Sequence, residues 1–301
     1  MAKVSILIPS RNETYKTNFG TTVLQQTVID VLEKATGDYE VLVIFDGEPY
    51  QDLPEHKNLT VFYNKSPTGS KKCISKLINR STGKFVFKLD SHCMVAEGFD
   101  EVLQKDVEDN WVVIPRFYVL NAEEWKWQDE RFYDYFYLPC PLTDKKQFRF
   151  QAGGHWKERT KERLDISIDE NMKLHGSAFF MSKDFFINCI KELDSKYDDC
   201  SGEDIEISLK TWLGSWGGKL MVNKNTWYAH MHKGGQRPRG YHMGGEQIKN
   251  TYDFIANYWM RNSWEEREHD LEWLIEKFYP VPTWPENWKE LWNEWKGVNN
   301  E

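Results

Sequence analysis

Three short apolar runs, each followed by a polar cluster, constrain this chain more than any other feature. KVSILIP (residues 3–9), EVLVIF (40–45) and KFVFKL (84–89) are nearly continuous rather than alternating, as expected of strands buried on both faces. Between them lie two stretches of helical period. Residues 21–35 carry Val23, Leu24, Thr27, Val28, Val31 and Leu32 and stop at Gly37; residues 71–79 stop before Gly83. A further strand at 59–63 gives the order β-α-β-β-α-β over residues 1–90. That order predicts an α/β fold with a mostly parallel sheet flanked by helices. Ligands of such sheets bind beyond the carboxyl ends of the strands, where Ser10-Arg11-Asn12-Glu13, Asp46-Gly47 and Asp90 fall.

The rest of the chain is less regular. A strand is predicted at 111–120, and an aromatic, charged excursion with short helices over 121–170. A strand is expected at 175–181, helices at 183–193 and 204–213, and a short strand at 220–222. KGGQRPRGYHMGG, residues 233–245, has glycine at five positions and reads as a mobile flap. Residues 246–301 read as helical and hold seven of the 14 tryptophans. Trp288, Leu291, Trp292 and Trp295 share one helical face, which predicts a helix docked on the core. The expected organisation is a domain over 1–235, with a flap and a Trp-rich helical extension over 236–301 packed on it. At 301 residues the chain can bury a full core without staples. It has no apolar run of about 18 residues, and its first apolar stretch, 4–8, is too short for a signal-peptide core. The cysteines (73, 93, 140, 189 and 200) form no CxxC pair, so neither a disulfide framework nor a zinc knuckle is expected and a reducing cytoplasm is the default.

Two motifs carry chemistry. In KFVFKLDSHC a buried strand delivers Asp90 and then His92, and an extended backbone would put both on one side, able to share a divalent metal. A strand-end cap beside a surface histidine would have the same spelling. In SGEDIEISLKTWLGSWGGKLMVNKNTWYAH, residues 201–230, Glu203 and Asp204 begin a helix, where acids favour the dipole. They are either caps or a general base and substrate clamp. His230, or His232 two residues on, is a candidate third metal ligand.

Together these pieces resemble a GT-A glycosyltransferase over about residues 3–235. VSILIPSRNE resembles the first strand of the large family-2 group of nucleotide-sugar transferases, and residues 69–83 followed by FVFKLDSH resemble the segment leading into its metal motif. DSHC, GEDIEIS, the following Trp and Gly-Gly, and a closing His resemble the polypeptide N-acetylgalactosaminyltransferases, which use a DxH pair plus a distant His. The resemblance implies a UDP-sugar donor and Mn²⁺ or Mg²⁺ held by Asp90, His92 and His230. It places Pro9, Ser10, Arg11 and Glu13 against the nucleotide, Asp46 against uracil, Lys72 near nucleotide or phosphate, and Ser91 beside the metal pair. It places His175-Gly176-Ser177 along the donor sugar, Glu203 and Asp204 on the acceptor side, and Lys233 and Tyr241 in a flap over the diphosphate. Asp204 follows the inverting family-2 choice, where the N-acetylgalactosaminyltransferases retain configuration and carry Asn. Cys200-Ser201 departs from their Trp-Gly. The lectin domain and membrane anchor of the secretory-pathway enzymes are missing from this sequence, which speaks against mucin-type glycosylation.

Charge enters the argument at the acceptor. The net charge is −8, which argues against a simple nucleic-acid-coating protein. Yet two stretches are basic. Residues 145–163 carry Lys145, Lys146, Arg149, Lys157, Arg159, Lys161 and Arg163, interleaved with Phe148, Phe150, His155 and Trp156. Residues 224–245 carry Lys224, Lys233, Arg237 and Arg239 with no acid. Cations beside aromatics suit phosphate contacts and base stacking. The expectation is therefore transfer to a polyanion such as hydroxymethylated-pyrimidine DNA, in a phage-encoded enzyme of the host cytoplasm, with capsular or other glycan synthesis as the alternative. A metal-dependent nucleotidyltransferase and a sugar-nucleotide-binding module without catalysis are the readings from other classes.

Overall fold

The computed structural model describes residues 3–143, 148–150, 154–193, 202–233, 237, 240–241 and 245–299. The apolar runs become the parallel half of one sheet: β1 (Val4–Ser10), β2 (Tyr39–Asp46), β3 (Leu59–Asn64) and β4 (Phe85–Leu89), in the order β3-β2-β1-β4. Helix α1 (Val23–Lys34) begins with a capping box, in which Thr22 Oγ1 accepts from the Gln25 amide and Gln25 Oε1 accepts from the Thr22 amide. Helix α2 (Ser70–Arg80) buries Cys73, Ile74, Leu77 and Ile78. These elements lie within a residue or two of the sequence expectation, because long apolar runs and a cap are local signals.

The second half is mixed rather than parallel. β5 (Cys93–Val95) and α3 (Phe99–Asp106) follow β4, and neither was anticipated. β6 (Trp111–Asn121) pairs antiparallel with β7 (Lys126–Tyr133), a strand inside the stretch expected to hold only short helices. α4 (Lys157–Glu162) and β8 (Ile168–Glu170) complete that stretch, and β9 (Ala178–Ser182) inserts antiparallel between β4 and β6. The helix expected at 183–193 is one turn, α5 (Lys183–Phe185), running into a π-helical segment Phe186–Ile190 that ends at Lys191 with φ +62°. After α6 (Glu203–Leu213), the predicted three-residue strand is instead β10 (Lys219–His230), parallel to β6. Its register shifts between Asn223 and Trp227. The bulge residues look like a turn in the sequence because Asn223 and Asn225 both donate to Asp106 Oδ2, at 3.0 and 2.9 Å. His230 therefore ends a long strand and does not follow a turn.

Helices α7 (Gly245–Met260), α8 (Leu271–Phe278) and α9 (Trp288–Asn299) close the molecule. Trp259, Trp264, Trp284, Trp288 and Trp292 join the same buried cluster as the sheet. Trp295 stacks on Phe148, with ring centres 4.9 Å apart, and Trp284 Nε1 donates to Leu138 O at 2.7 Å. The tryptophan face of α9 thus packs inward.

Candidate active site

A cavity of about 380 Å³ opens at the carboxyl ends of β1, β2 and β4. Its wall includes Pro9, Ser10, Arg11, Glu13 and Asp46 on one side, Asp90, Ser91, His92, His230 and His232 at the centre, and His175, Gly176, Glu203 and Asp204 opposite. Lys233 and Tyr241 close one edge, and Tyr252 of α7 also contributes, so the wall extends beyond residue 235. Of the residues expected in the site, Lys72 is absent from this wall. It is exposed, whereas its neighbour Lys71 is buried. Successive helical residues point about 100° apart, so only one of the two faces inward.

Asp90 and His92 meet across a turn rather than along an extended strand, with the Asp90 amide donating to Ser177 O at 2.8 Å. Asp90 Oδ2 lies 3.3 Å from His230 Nε2 and 3.9 Å from His92 Nε2. One ligand atom from each of Asp90, His92 and His230 falls within 4.8 Å of the others. Both His230 nitrogens and His92 Nδ1 are buried without a hydrogen-bond partner, an arrangement that costs about 1–3 kcal/mol per group unless something else is bound. Burial pushes His230 down to about 4, which keeps its imidazole neutral and its lone pair free. Burial opposes ionisation of Asp90, but Lys88 and the two imidazoles hold it well below the usual carboxylate range. An anionic oxygen and two imidazole nitrogens converging on one point fit a divalent cation. His232 lines the cavity but stands outside this trio.

The residues around the trio are tied in place. Lys88, inside β4 and only 2% exposed, donates to Asp90 Oδ1 and to Gly176 O. Glu13 Oε1 accepts from Lys233 and lies 3.5 Å from His92 Nδ1, which ties Glu13 to one imidazole of the trio. Asp46 accepts from Asn64 (2.9 Å), from the Thr68 amide (2.7 Å) and hydroxyl (3.0 Å), and from the Gly69 amide (2.8 Å). Burial opposes its ionisation, but these donors hold it below its ordinary value. Its carboxylate fixes the turn before α2.

Gly202, at φ +84°, starts α6; a Cβ there would stand 2.5 Å from Ile255 Cδ1 of α7. That close approach sets the entry of Glu203 and Asp204. Asp204 Oδ2 is held by Lys173, itself 2% exposed. Burial raises Glu203 above the ordinary carboxylate range. Lys88 and Lys173 were missed by sequence reasoning. Lys88 had one signal, a lone charge inside a wholly apolar strand; Lys173 had none.

The described flap residues lie against the end of β1. The Arg11 guanidinium stands 4.7 Å from the Tyr241 ring centre, Asn12 donates to Gly240 O, and Arg237 pairs with Glu123. The two basic stretches look different in three dimensions. Arg159 and Arg163 pair with Asp169, and Lys224 lies 4.0 Å from Asp134. Phe150 and Trp156 are buried. Lys145, Lys146, Cys200, Ser201 and Arg239 lie outside the described residues.

Comparisons with known proteins bear on the fold and the family. Polypeptide N-acetylgalactosaminyltransferase 11 of Xenopus tropicalis is 24% identical over 277 residues, covering 85% of this chain and 42% of its own length. The chain therefore spans about two fifths of the length of that relative. The crystal structure of GalNAc-T7 with UDP, GalNAc and Mn²⁺ superposes with a TM-score of 0.69 at 18% identity, over 93% of this chain and 58% of that one. S. aureus TarS 1–349 in complex with UDP-GlcNAc gives 0.52 at 14% identity, over 88% and 68%. These likenesses establish the GT-A fold. The sequence pattern of Glycosyl transferase family 2 matches residues 5–187. That stretch runs from the first strand through the DxH pair to just beyond β9, and it makes the chain a member of glycosyl transferase family 2.

Proposed function

We propose that this glycosyltransferase moves a sugar from a UDP-sugar to a hydroxyl acceptor, with Asp90, His92 and His230 holding Mn²⁺ or Mg²⁺. The observation that carries the reading is the convergence of those three ligand atoms within 4.8 Å, in the cavity that also presents Glu203 and Asp204. When bound, the cation would supply positive charge against the departing diphosphate. The chain's own residues supply the rest. Pro9, Ser10, Arg11 and the turn fixed by Asp46 form the nucleotide side. Lys233 and Tyr241 cover the diphosphate and exclude water. The acceptor oxygen attacks the anomeric carbon from the face opposite UDP, the bond to the diphosphate oxygen breaks with its electron pair, and Asp204 takes the acceptor proton. With Oδ2 pinned by Lys173, Oδ1 of Asp204 is the atom assigned to that proton. Attack of this kind inverts configuration. Residues 1–235 form the catalytic unit in this reading, and 236–301 supply the flap and a wall of the cavity.

For the acceptor, the pairing of Arg159, Arg163, Lys224 and Arg237 with acids and the burial of Phe150 and Trp156 withdraw those groups from a phosphate backbone and favour a glycan over DNA. A screen for UDP release from a panel of UDP-sugars, with and without Mn²⁺, tests the donor and the metal. Turnover that survives EDTA, or that persists in Asp90→Ala, overturns the metal site; pyrophosphate in place of UDP would point to nucleotidyl transfer. Adding hydroxymethylated DNA and neutral glycans to the screen decides the acceptor. Sugar transfer to the DNA alone would reverse the choice of glycan.

A further inference from the structure

The segment His175-Gly176-Ser177 sits between the two chemical poles of the cavity. The His175 ring centre is 5.7 Å from that of His230, and a Cβ on Gly176 would lie 3.5 Å from Glu203 Oε1 and from Asp204 Cβ. A reacting sugar must occupy this interval, with its leaving group toward His230 and its acceptor toward Asp204. His175 is held there by a buried chain of hydroxyls. Its Nδ1 is 2.6 Å from Ser177 Oγ, and Ser177 Oγ is 2.7 Å from Tyr228 Oη. The Ser177 backbone amide, which can only donate, also points at Nδ1 from 3.4 Å. Nδ1 is therefore the acceptor, the protons run from Tyr228 through Ser177 to His175, and the ring proton is on Nε2. The ring packs against Phe117 and Phe136, with centres 4.8 and 5.2 Å away, which limits its rotation.

We infer that His175, fixed as the Nε2–H tautomer by Ser177 and Tyr228, donates a hydrogen bond to the transferred sugar and determines which sugar is accepted. The inference rests on the proposed UDP-sugar reading and deepens it. A donor set rigidly in an aromatic pocket discriminates well, because a sugar lacking the matching oxygen leaves the buried N–H unpaired. Removing a single such bond changes selectivity by about tenfold.

The test uses the full chain, Mn²⁺, UDP, and four probes that differ at C2 or C4: UDP-glucose, UDP-galactose, UDP-N-acetylglucosamine and UDP-N-acetylgalactosamine. His175→Phe keeps a ring among the aromatics and removes the donor. The expected result is a loss of about tenfold in kcat/KM for the preferred donor, a narrowed ratio between the preferred donor and its epimer, and UDP affinity within about twofold of wild type. Unchanged selectivity overturns the inference. Tyr228→Phe should narrow the same ratio less while leaving UDP affinity intact. Long-range proton–nitrogen NMR on wild-type protein reads the tautomer even if His175→Phe does not fold, and an Nδ1–H pattern at His175 overturns the assignment. Wild-type protein that binds no UDP-sugar at all would instead remove the parent reading.

Discussion

Two sets of cations behave in opposite ways. The basic stretches around residues 145–163 and 224–245 dominate the linear charge map, yet in the fold Arg159, Arg163 and Lys224 serve the acids of their own neighbourhood. Lys71, Lys88 and Lys173 lie outside those stretches, yet each is 2% exposed and set among Asp90, Glu203 and Asp204. The difference teaches that charge density along a sequence does not locate a site, whereas a buried lysine must be matched by a carboxylate, because desolvating it alone costs several kcal/mol. Site lysines are thus found by which acid they face, not by counting.

The comparison can be broken at either end. The largest effect is expected at the buried set. Lys173→Met removes the group that pins Asp204 and should lower kcat by roughly a hundredfold while UDP affinity holds. A variant within threefold of wild type would leave Lys173 a packing residue. Next comes the paired set, where the sign of the expectation reverses. Lys224→Met should cost about 2 kcal/mol of stability in urea melts with little change in kcat/KM, since Lys224 contacts Asp134, Tyr135 and the Arg163 carbonyl far from the reacting atoms. An activity loss without a stability loss would erase the distinction.

A weaker effect sharpens the contrast at the flap. The hydrogen bonds from Arg237 hold the Glu123 carboxyl down to about 2, against an ordinary value of 4.5. A carboxyl depressed by folding stabilises fully above its unfolded value, and that contribution is lost as pH falls through the folded one. Arg237→Gln should therefore be less stable than wild type above pH 4.5, with the two curves converging toward pH 2. Curves that stay parallel would show that the pair does not contribute. The smallest effect belongs to the exposed Lys157 and Lys161 of α4. Reversing both to Glu should change transfer to a neutral glycan by less than about twofold, as expected of solvated surface charges. A tenfold loss of transfer to hydroxymethylated DNA by the same variant would restore a polyanionic acceptor.

Legibility followed the range of the interactions. β1, β2, β4, α1 and α2 were readable because unbroken apolar runs, a Thr22–Gln25 cap and helical period are written within ten or so residues. The Asp90–His92–His230 trio was readable through its resemblance to a family, and the structure brings those atoms together. The second half of the sheet was readable only in part: β6 and β9 fall at the strands expected over 111–120 and 175–181, whereas β5, β7, β8 and most of β10 do not. β10 hides behind Asn223 and Asn225, whose side chains satisfy Asp106 and so imitate a turn. β7 carries a solvated face, with too few apolar residues to show its period. Lys72 was named from the resemblance, and a run of two lysines does not by itself say which one the helix turns inward.

The sequence by itself determined the α/β class, the strand ends that hold the site and the identity of the metal-ligand candidates. These depend on local backbone preference and on which residue types can perform the chemistry. Tertiary structure decided which charges are paired, which nitrogen of His175 keeps its proton and which lysine meets which carboxylate. Those outcomes depend on desolvation and on distances between residues tens to hundreds of positions apart, and neither quantity exists until the chain has packed.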